Sequence, residues 1–281
     1  MSGANQEQAD YWASPPGIKW IEHERALDAA MVGMLDTIFD TVQIGESERV
    51  IDIGCGTGAS TLAAAELASQ GHVLGVDISA PLLDRARSRA SSAGIVNVSF
   101  LEADAQSYGF EKDAFDVLIS RIGMMFFAEP VQAFQNLSLS IRPGGRMVFV
   151  CWSSVAQNPW FHIPNEAAVS RLGGVPKGDP HAPGPTAFQD IDYVTGLMEK
   201  AGLTDVKGSP VEIDLTPPNG LKGAARAASR VGPAARIMKA HSGSSADATA
   251  IEEAVRDAFR QFEKNGKVTV PAVVNLFTCG I

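Results

Sequence analysis

At 281 residues and 45% hydrophobic composition, the chain is long enough to build one large domain around a sizeable core. A formal net charge of −9 opposes a long polyanion held through many phosphate contacts, so nucleic acid is not expected as a partner. The three cysteines, Cys55, Cys151 and Cys279, are far apart and lack C-x-x-C spacing; they suggest neither a disulfide framework nor a zinc site, and a reducing cytoplasmic setting fits.

The opening stretch MSGANQEQAD is polar and acidic, without the basic start and apolar core of a secretory signal. The apolar run Met147 to Trp152 is too short to span a bilayer, so no membrane partner is expected. From Ile18 to Val42, apolar residues recur at Trp20, Leu27, Met31, Met34, Leu35, Ile38 and Val42, the spacing of one amphipathic helix. Residues 1–45 read as a helical cap ahead of the main domain, 46–281. Arg49 to Ile53 then reads as a buried strand, Gly54 to Gly58 as a tight loop and Ser60 to Ser69 as a helix.

The alternation continues through strand His72–Asp77, helix Pro81–Ala93, strands Val96–Glu102 and Phe115–Ser120, helix Val131–Ile141 and strand Arg146–Trp152. Strands separated by helices of about a dozen residues pair in parallel through right-handed crossovers, giving a doubly wound α/β sheet covered on both faces. Ligand sites in such sheets lie beyond the carboxyl ends of the strands. Residues 153–188 are rich in proline and glycine and are expected to wrap the surface as a lid-like excursion. A helix Asp190–Ala201, a strand Val206–Leu215 and a last strand Val268–Thr278 would complete seven strands. Between the last two lies a second insertion, 216–267, helical in its later part because Ile251, Val255, Phe259 and Phe262 share a face, with Gly266 as a stop. Inserted helices are also candidate surfaces for a homodimer.

The segment Val50-Ile51-Asp52-Ile53-Gly54-Cys55-Gly56-Thr57-Gly58 runs a strand into three alternating glycines, which permit close backbone approach to a ligand. Alone it is ambiguous, because Gly54, Gly56 and Ala59 also satisfy the relaxed G-x-G-x-x-G/A dinucleotide pattern, with Asp77 about 20 residues on as a ribose ligand. Asp52 favours a different ligand: a carboxylate just before the loop repels pyrophosphate and attracts the ammonium of a methionine moiety. Asp104, in Glu102-Ala103-Asp104-Ala105, falls where a carboxylate accepts a hydrogen bond from an exocyclic amine. Cys55 reads as a small loop filler, with no neighbouring histidine or lysine to lower its pKa.

Taken in order, VIDIGCGTG, the acid of GVDIS, EADA, FDVLISRIGMMFF and RPGGRMVF resemble the successive motifs of class I S-adenosylmethionine-dependent methyltransferases, over residues 50–150. The N-terminal stretch with Tyr11, Trp12, Trp20 and His23 looks like the small-molecule group related to ubiquinone and menaquinone biosynthesis. The resemblance implies a Rossmann-like, mainly parallel seven-stranded sheet. It also implies that Gly54, Gly56 and Gly58 pack against the methionine part of the cofactor, Asp77 holds the ribose hydroxyls, Asp104 and Ala105 meet adenine, and Ser120 and Arg121 border the cofactor. Trp12, Trp20, Thr57 and Ile78 join that surround, with S-adenosylhomocysteine as product and no metal.

Methyl transfer from a sulfonium is an in-line displacement in which alignment of the acceptor supplies much of the acceleration, so no dedicated base is required. For an acidic acceptor, the candidate bases are His23 and His162, both beside aromatic residues. His72, His181 and His241 show no ligand spacing for a metal. Met124, Phe126 and Phe127 after the fourth strand, with Trp152 and Trp160, are candidate walls for a small, partly apolar acceptor. The fourth strand ends Ser120-Arg121-Ile122-Gly123, not in an N-P-P-Y-type loop, which points away from macromolecular substrates. Two other readings stand beside this one: an NAD(P)-dependent oxidoreductase, and a non-catalytic protein that retains a cofactor fold.

Overall fold

A computed structural model describes residues 5–176, 178–230 and 232–281; Met1–Ala4, the start of the polar opening stretch, lie outside it. The first six strands and their helices run β1 (Arg49–Ile53), α4 (Ala59–Leu67), β2 (His72–Asp77), α5 (Ala80–Ala93), β3 (Val98–Glu102), β4 (Phe115–Arg121), α6 (Pro130–Ser140), β5 (Ile141–Trp152), α8 (Ile191–Lys200) and β6 (Thr204–Leu215). A short hairpin, β7 (Glu263–Lys264) and β8 (Lys267–Val268), precedes the last strand, β9 (Val270–Gly280). The main sheet has seven strands in the order β3-β2-β1-β4-β5-β9-β6. The first five pair in parallel, and β9 runs antiparallel between β5 and β6.

The central strands are apolar on both faces because helices cover both: Val50, Ile51, Val117, Leu118, Ile119, Phe149 and Val150 are fully buried. The chain leaves β1 toward β2 and β3, then returns to the far side of β1 as β4. That reversal makes β1/β4 the switch point of the sheet, the place beyond the strand ends where sheets of this kind hold their ligands.

The cap differs from a single helix. It comprises α1 (Gln6–Trp12), α2 (Pro15–Ala30) and α3 (Val32–Val42), broken between the last two at Met31. The break is held from outside: the carbonyls of Ala29 and Ala30 accept the hydroxyl and N–H of Thr216 at 3.1 and 3.2 Å. The bend lets α3 lay Met34, Ile38 and Val42 on the sheet while α2 crosses to α5.

The proline-rich segment 153–188 is not simply a surface excursion either. It carries α7 (Pro159–Leu172), whose Pro159 sits in the first turn, where no N–H is needed, and whose Trp160, Phe161, Pro164 and Ala168 are buried. Asn158 anchors its start, donating to the carbonyl and accepting from the N–H of Val273 at 3.1 and 3.0 Å. The second insertion is helical from early on, as α9 (Gly220–Arg230), α10 (Gly232–Ala240) and α11 (Ser245–Phe259). Phe262 lies in a short 3-10 turn past α11, and Gly266, with φ +76°, turns the β7–β8 hairpin instead of stopping the helix. Helix α7 packs on all three, with Trp160 stacked on Phe259 and Arg171 paired to Asp247 at 2.7 Å, so the two insertions form one helical layer.

Candidate active site

The glycine loop and the turn after β4 meet at the switch point. A Cβ on Gly54 would lie 2.7 Å from the Cα of Gly123, so glycine at both positions is what lets the two turns touch. Gly58, at the N-cap of α4, packs on Ala86 of α5. Gly56 has φ +55° and nothing within 4 Å of where a Cβ would sit; it faces open space. Cys55 is buried, with its thiol pushed well up by burial, and behaves as a filler beneath Gly75.

Three acids follow one another along the strand ends. Asp52 on β1 is completely buried, and its Oδ2 accepts from the hydroxyls of Ser60 and Thr61 at 2.6 and 2.7 Å. Its Oδ1 has no partner. Burial pushes this carboxyl up to about 6, opposed by the two hydroxyls and by the charge of Arg121. Asp77 closes β2 and accepts the N–H of Gly56 at 2.8 Å and of Ser79 at 2.9 Å; burial also raises its carboxyl, against those donors. Asp104, past the end of β3, is half-buried.

The cap closes over this row through the expected Trp12 and Trp20 and through Asn5, Glu24 and Asp28, which no local motif announces. Asn5 donates to Asp104 Oδ1 at 2.9 Å and to Gln106 Oε1 at 3.1 Å, and accepts the N–H of Ala128. The carbonyl of Trp12 accepts the hydroxyl of Ser79 at 3.0 Å, and the Trp12 ring meets Trp20 and Phe126 edge-on at 5.9 and 5.5 Å. On α2, Glu24 and Asp28 lie four residues apart and face Arg85 and Arg89 on α5. Arg89 also donates to the hydroxyl and carbonyl of Thr57, and Arg121 donates to Asp28 at 3.0 Å. The signal for these pairs was present as E-x-x-x-D and R-x-x-x-R, but nothing in either half names its partner.

Other candidates take more structural positions. Ser120 is buried, donating to the carbonyl of Ile53 at 2.6 Å and accepting from Gly123, so it ties β1 to the β4 turn. Ala105 is buried and Ile78 half-buried. Met124 is fully buried in the core, leaving Phe126 and Phe127 as the half-buried rings of that turn. Trp152 meets Phe161 at 4.8 Å where β5 ends against α7, while Trp160 stacks inside the helical layer. His23 is exposed on the outer side of α2, and His162 lies 3.8 Å from the exposed Glu166; neither hydrogen-bonds to a described residue of the glycine loop or the β4 turn. A surface groove of about 470 Å³, where the paired strands β6 and β9 meet Gln157 and Pro159 at the start of α7, shares no residue with this constellation.

Among the described residues, no group of three metal-ligating side chains converges and no helix is long and apolar enough to cross a membrane. The sequence is 38% identical over 103 residues to the aklanonic acid methyltransferase DauC of a Streptomyces species, covering 36% of this chain and 47% of that protein. It is 27% identical to the ubiquinone/menaquinone biosynthesis C-methyltransferase UbiE of Proteus mirabilis, covering 58% of this chain and 69% of that one. Among the curated relatives it matches, several are spanned over less than half their length. The YcgJ protein from Bacillus subtilis shares the fold, with a TM-score of 0.56 at 18% identity, over 88% of this chain and 97% of that one. A family model described as a methyltransferase domain matches residues 44–200, more than half of the sequence: the chain belongs to the methyltransferase-domain family.

Proposed function

We propose that the chain uses S-adenosylmethionine to methylate a small organic acceptor in the cytoplasm. The observation that carries this reading is the carboxylate of Asp52, wholly buried under the glycine loop with one oxygen unpartnered. An unpaired buried acceptor at that point attracts a cation and repels the pyrophosphate that the same loop would cradle in a dehydrogenase. The sheet argues the same way, because an antiparallel β9 stands between β5 and β6 where the dinucleotide-binding order runs parallel.

When bound, S-adenosylmethionine supplies a methyl group activated on a sulfonium. Around it, Asp52 attracts the ammonium, Gly56 leaves room for close approach, and Asp77 offers its remaining lone pairs to ribose hydroxyls. Asp104, already an acceptor for Asn5, is the acid available to an adenine amine. The cap supplies Trp12 and Trp20, whose half-buried rings meet edge-on. The carboxylates grip the periphery and leave the sulfur alone, which avoids favouring the ground state.

For the acceptor, the ring group of Trp12, Trp20 and Phe126 and the pair Trp152–Phe161 where β5 ends against α7 support a partly apolar molecule. The names of the relatives make organic acids and demethylated quinones the first acceptors to screen. We assign a proton-accepting role to neither His23, which is exposed, nor His162, whose neighbour Glu166 is also exposed. Alignment in the cleft carries the rate.

Calorimetric titration with S-adenosylmethionine, S-adenosylhomocysteine and NADH tests the cofactor. Micromolar binding of both adenosyl ligands without NADH is expected. Binding of NADH alone would overturn the reading. Transfer of isotopically labelled methyl to a quinol or organic-acid panel then separates an enzyme from a protein that only binds the cofactor.

A further inference from the structure

Among the described residues three buried charged atoms lack a hydrogen-bond partner, Asp28 Oδ2, Asp52 Oδ1 and Arg121 Nη1. Asp28 Oδ2 still has the charge of Arg89 at 3.0 Å, which leaves Asp52 Oδ1 and Arg121 Nη1, of opposite charge, at the switch point. Their placement is set by the β-ladder. Asp52 pairs with Ile119 across β1 and β4, and residues opposite one another in a ladder share a face. Arg121, two residues on from Ile119, returns to that face about 6.6 Å nearer the carboxyl edge.

The two do not form an ion pair with each other; each is held from another side. Asp52 Oδ2 accepts from the hydroxyls of Ser60 and Thr61, and Arg121, 8% exposed, donates through Nη2 to Asp28. The carboxylate of Asp28 is itself shared, since its Oδ2 stands 3.0 Å from Arg89. The backbone that carries Arg121 is constrained as well. Ile122 has φ +57°, a left-handed conformation costly for a β-branched residue, stabilised by its N–H donating to Val150 at 2.9 Å and by the contact of Gly123 with Gly54. Leaving buried charged atoms unpaired is expensive, and strain of this kind gathers where a ligand is held.

A ligand that satisfies both atoms carries a cation and an anion a bond or two apart, which is the description of an α-amino acid end. We propose that Arg121 Nη1 binds the α-carboxylate of the amino-acid end of the cofactor while Asp52 Oδ1 takes its α-ammonium, and that Asp28 on the cap is the positioning residue that aims Arg121. This rests on the cofactor reading above. It also links the cap to the ligand: the anchor is assembled only while α2 is docked.

The test compares S-adenosylhomocysteine with 5′-methylthioadenosine, which keeps the nucleoside and lacks the amino-acid end, by calorimetry on wild type, Arg121→Met, Arg121→Lys and Asp28→Asn. Arg121→Met should weaken S-adenosylhomocysteine about 10- to 100-fold and leave methylthioadenosine within about threefold, with Arg121→Lys between. Asp28→Asn should shift the same ratio in the same direction by less. A measurement on wild type alone avoids any effect on folding: the decarboxylated analogue of S-adenosylhomocysteine should lose affinity to about the level of the Arg121→Met protein. Equal losses for both ligands, or full affinity for the decarboxylated analogue, would overturn the proposal and leave the cofactor reading standing. Failure of wild type to bind any adenosyl ligand would overturn both.

Discussion

The acids of the site are not interchangeable, because each is paired differently. Asp77 accepts two backbone N–H groups, from Gly56 and Ser79, so it shapes the glycine loop as well as facing the ligand. Asp77→Ala is therefore expected to cost about 2 kcal/mol of stability as well as cofactor affinity, since the buried N–H of Ser79 and the half-buried N–H of Gly56 lose their acceptor. Asp77→Asn keeps an acceptor and should lose affinity with less destabilisation; urea titration beside calorimetry separates the two effects. Asp52 works in the opposite sense. Its carboxyl rises from 3.8 to about 6 in the fold, so the folded chain holds that proton more tightly than the unfolded one. Stability then falls as pH climbs through that interval and is level above it, a loss of about 3 kcal/mol. Asp52→Asn should accordingly stabilise the ligand-free protein at about pH 7.5, with the gain shrinking toward about pH 4.5, while weakening the adenosyl ligands. A gain of equal size at both pH values would mean that its charge does not cause the penalty. Asp52, Gly56 and Asp77 were legible in the sequence because a strand, a turn and a strand-end acid are local patterns. Asn5 was not: its partner Asp104 is 99 residues away, and a lone asparagine carries no signal of where its amide will land.

The helices show the same division at a larger size. Elements whose apolar period matched one buried face, such as α5 and α6, came within a residue or two of expectation. The cap failed as one helix because its break depends on Thr216, far along the chain. Prolines misled in α7: Pro159 lies where a helix tolerates it, and burial of Trp160, Phe161 and Ala168 outweighs the hydrogen bond that Pro164 cannot donate. What fastens the cap is the pairing of α2 with α5. Glu24 is buried, and the hydrogen bond from Arg85 holds its carboxyl below the ordinary range, with Arg89 adding charge. A depressed acid stabilises the fold above its unfolded pKa and gives that stability up as pH falls through the folded value, so this clasp loosens only in acid. Arg85 and Arg89 retain some solvent contact, so Glu24→Gln should cost about 1–3 kcal/mol. The cap should become the first segment cleaved in limited proteolysis, and S-adenosylhomocysteine should bind more weakly. Unchanged cleavage together with unchanged affinity would show that the aromatic contacts of Trp12 alone hold the cap.

Across the whole molecule, the switch point exists because β4 returns to the far side of β1, and no local feature of the sequence encodes that return. Alternating strands and helices imply a parallel sheet, but its order rests on the pairing of β1 with β4, as between Val50 and Val117, and the antiparallel entry of β9 beside β5 on pairs such as Trp152 with Val274, all distant in sequence. The same topology makes the proposed ligand a cross-link: it would touch the ends of β1, β2 and β4, the segment after β3, and through Asn5 and Trp12 the cap. Anything that binds only the folded chain stabilises it by RT ln(1 + [L]/Kd), about 2.7 kcal/mol at a hundredfold excess over Kd. For a protein of this size that is a rise of about 5 °C in Tm. S-adenosylhomocysteine should produce that rise, and NADH should not. Because the cap is bound to the sheet through the same site, the ligand should also slow its proteolysis in parallel with the Tm. A rise in Tm with no protection of the cap would mean that the ligand is held by the strand ends alone, with the cap free to open above it.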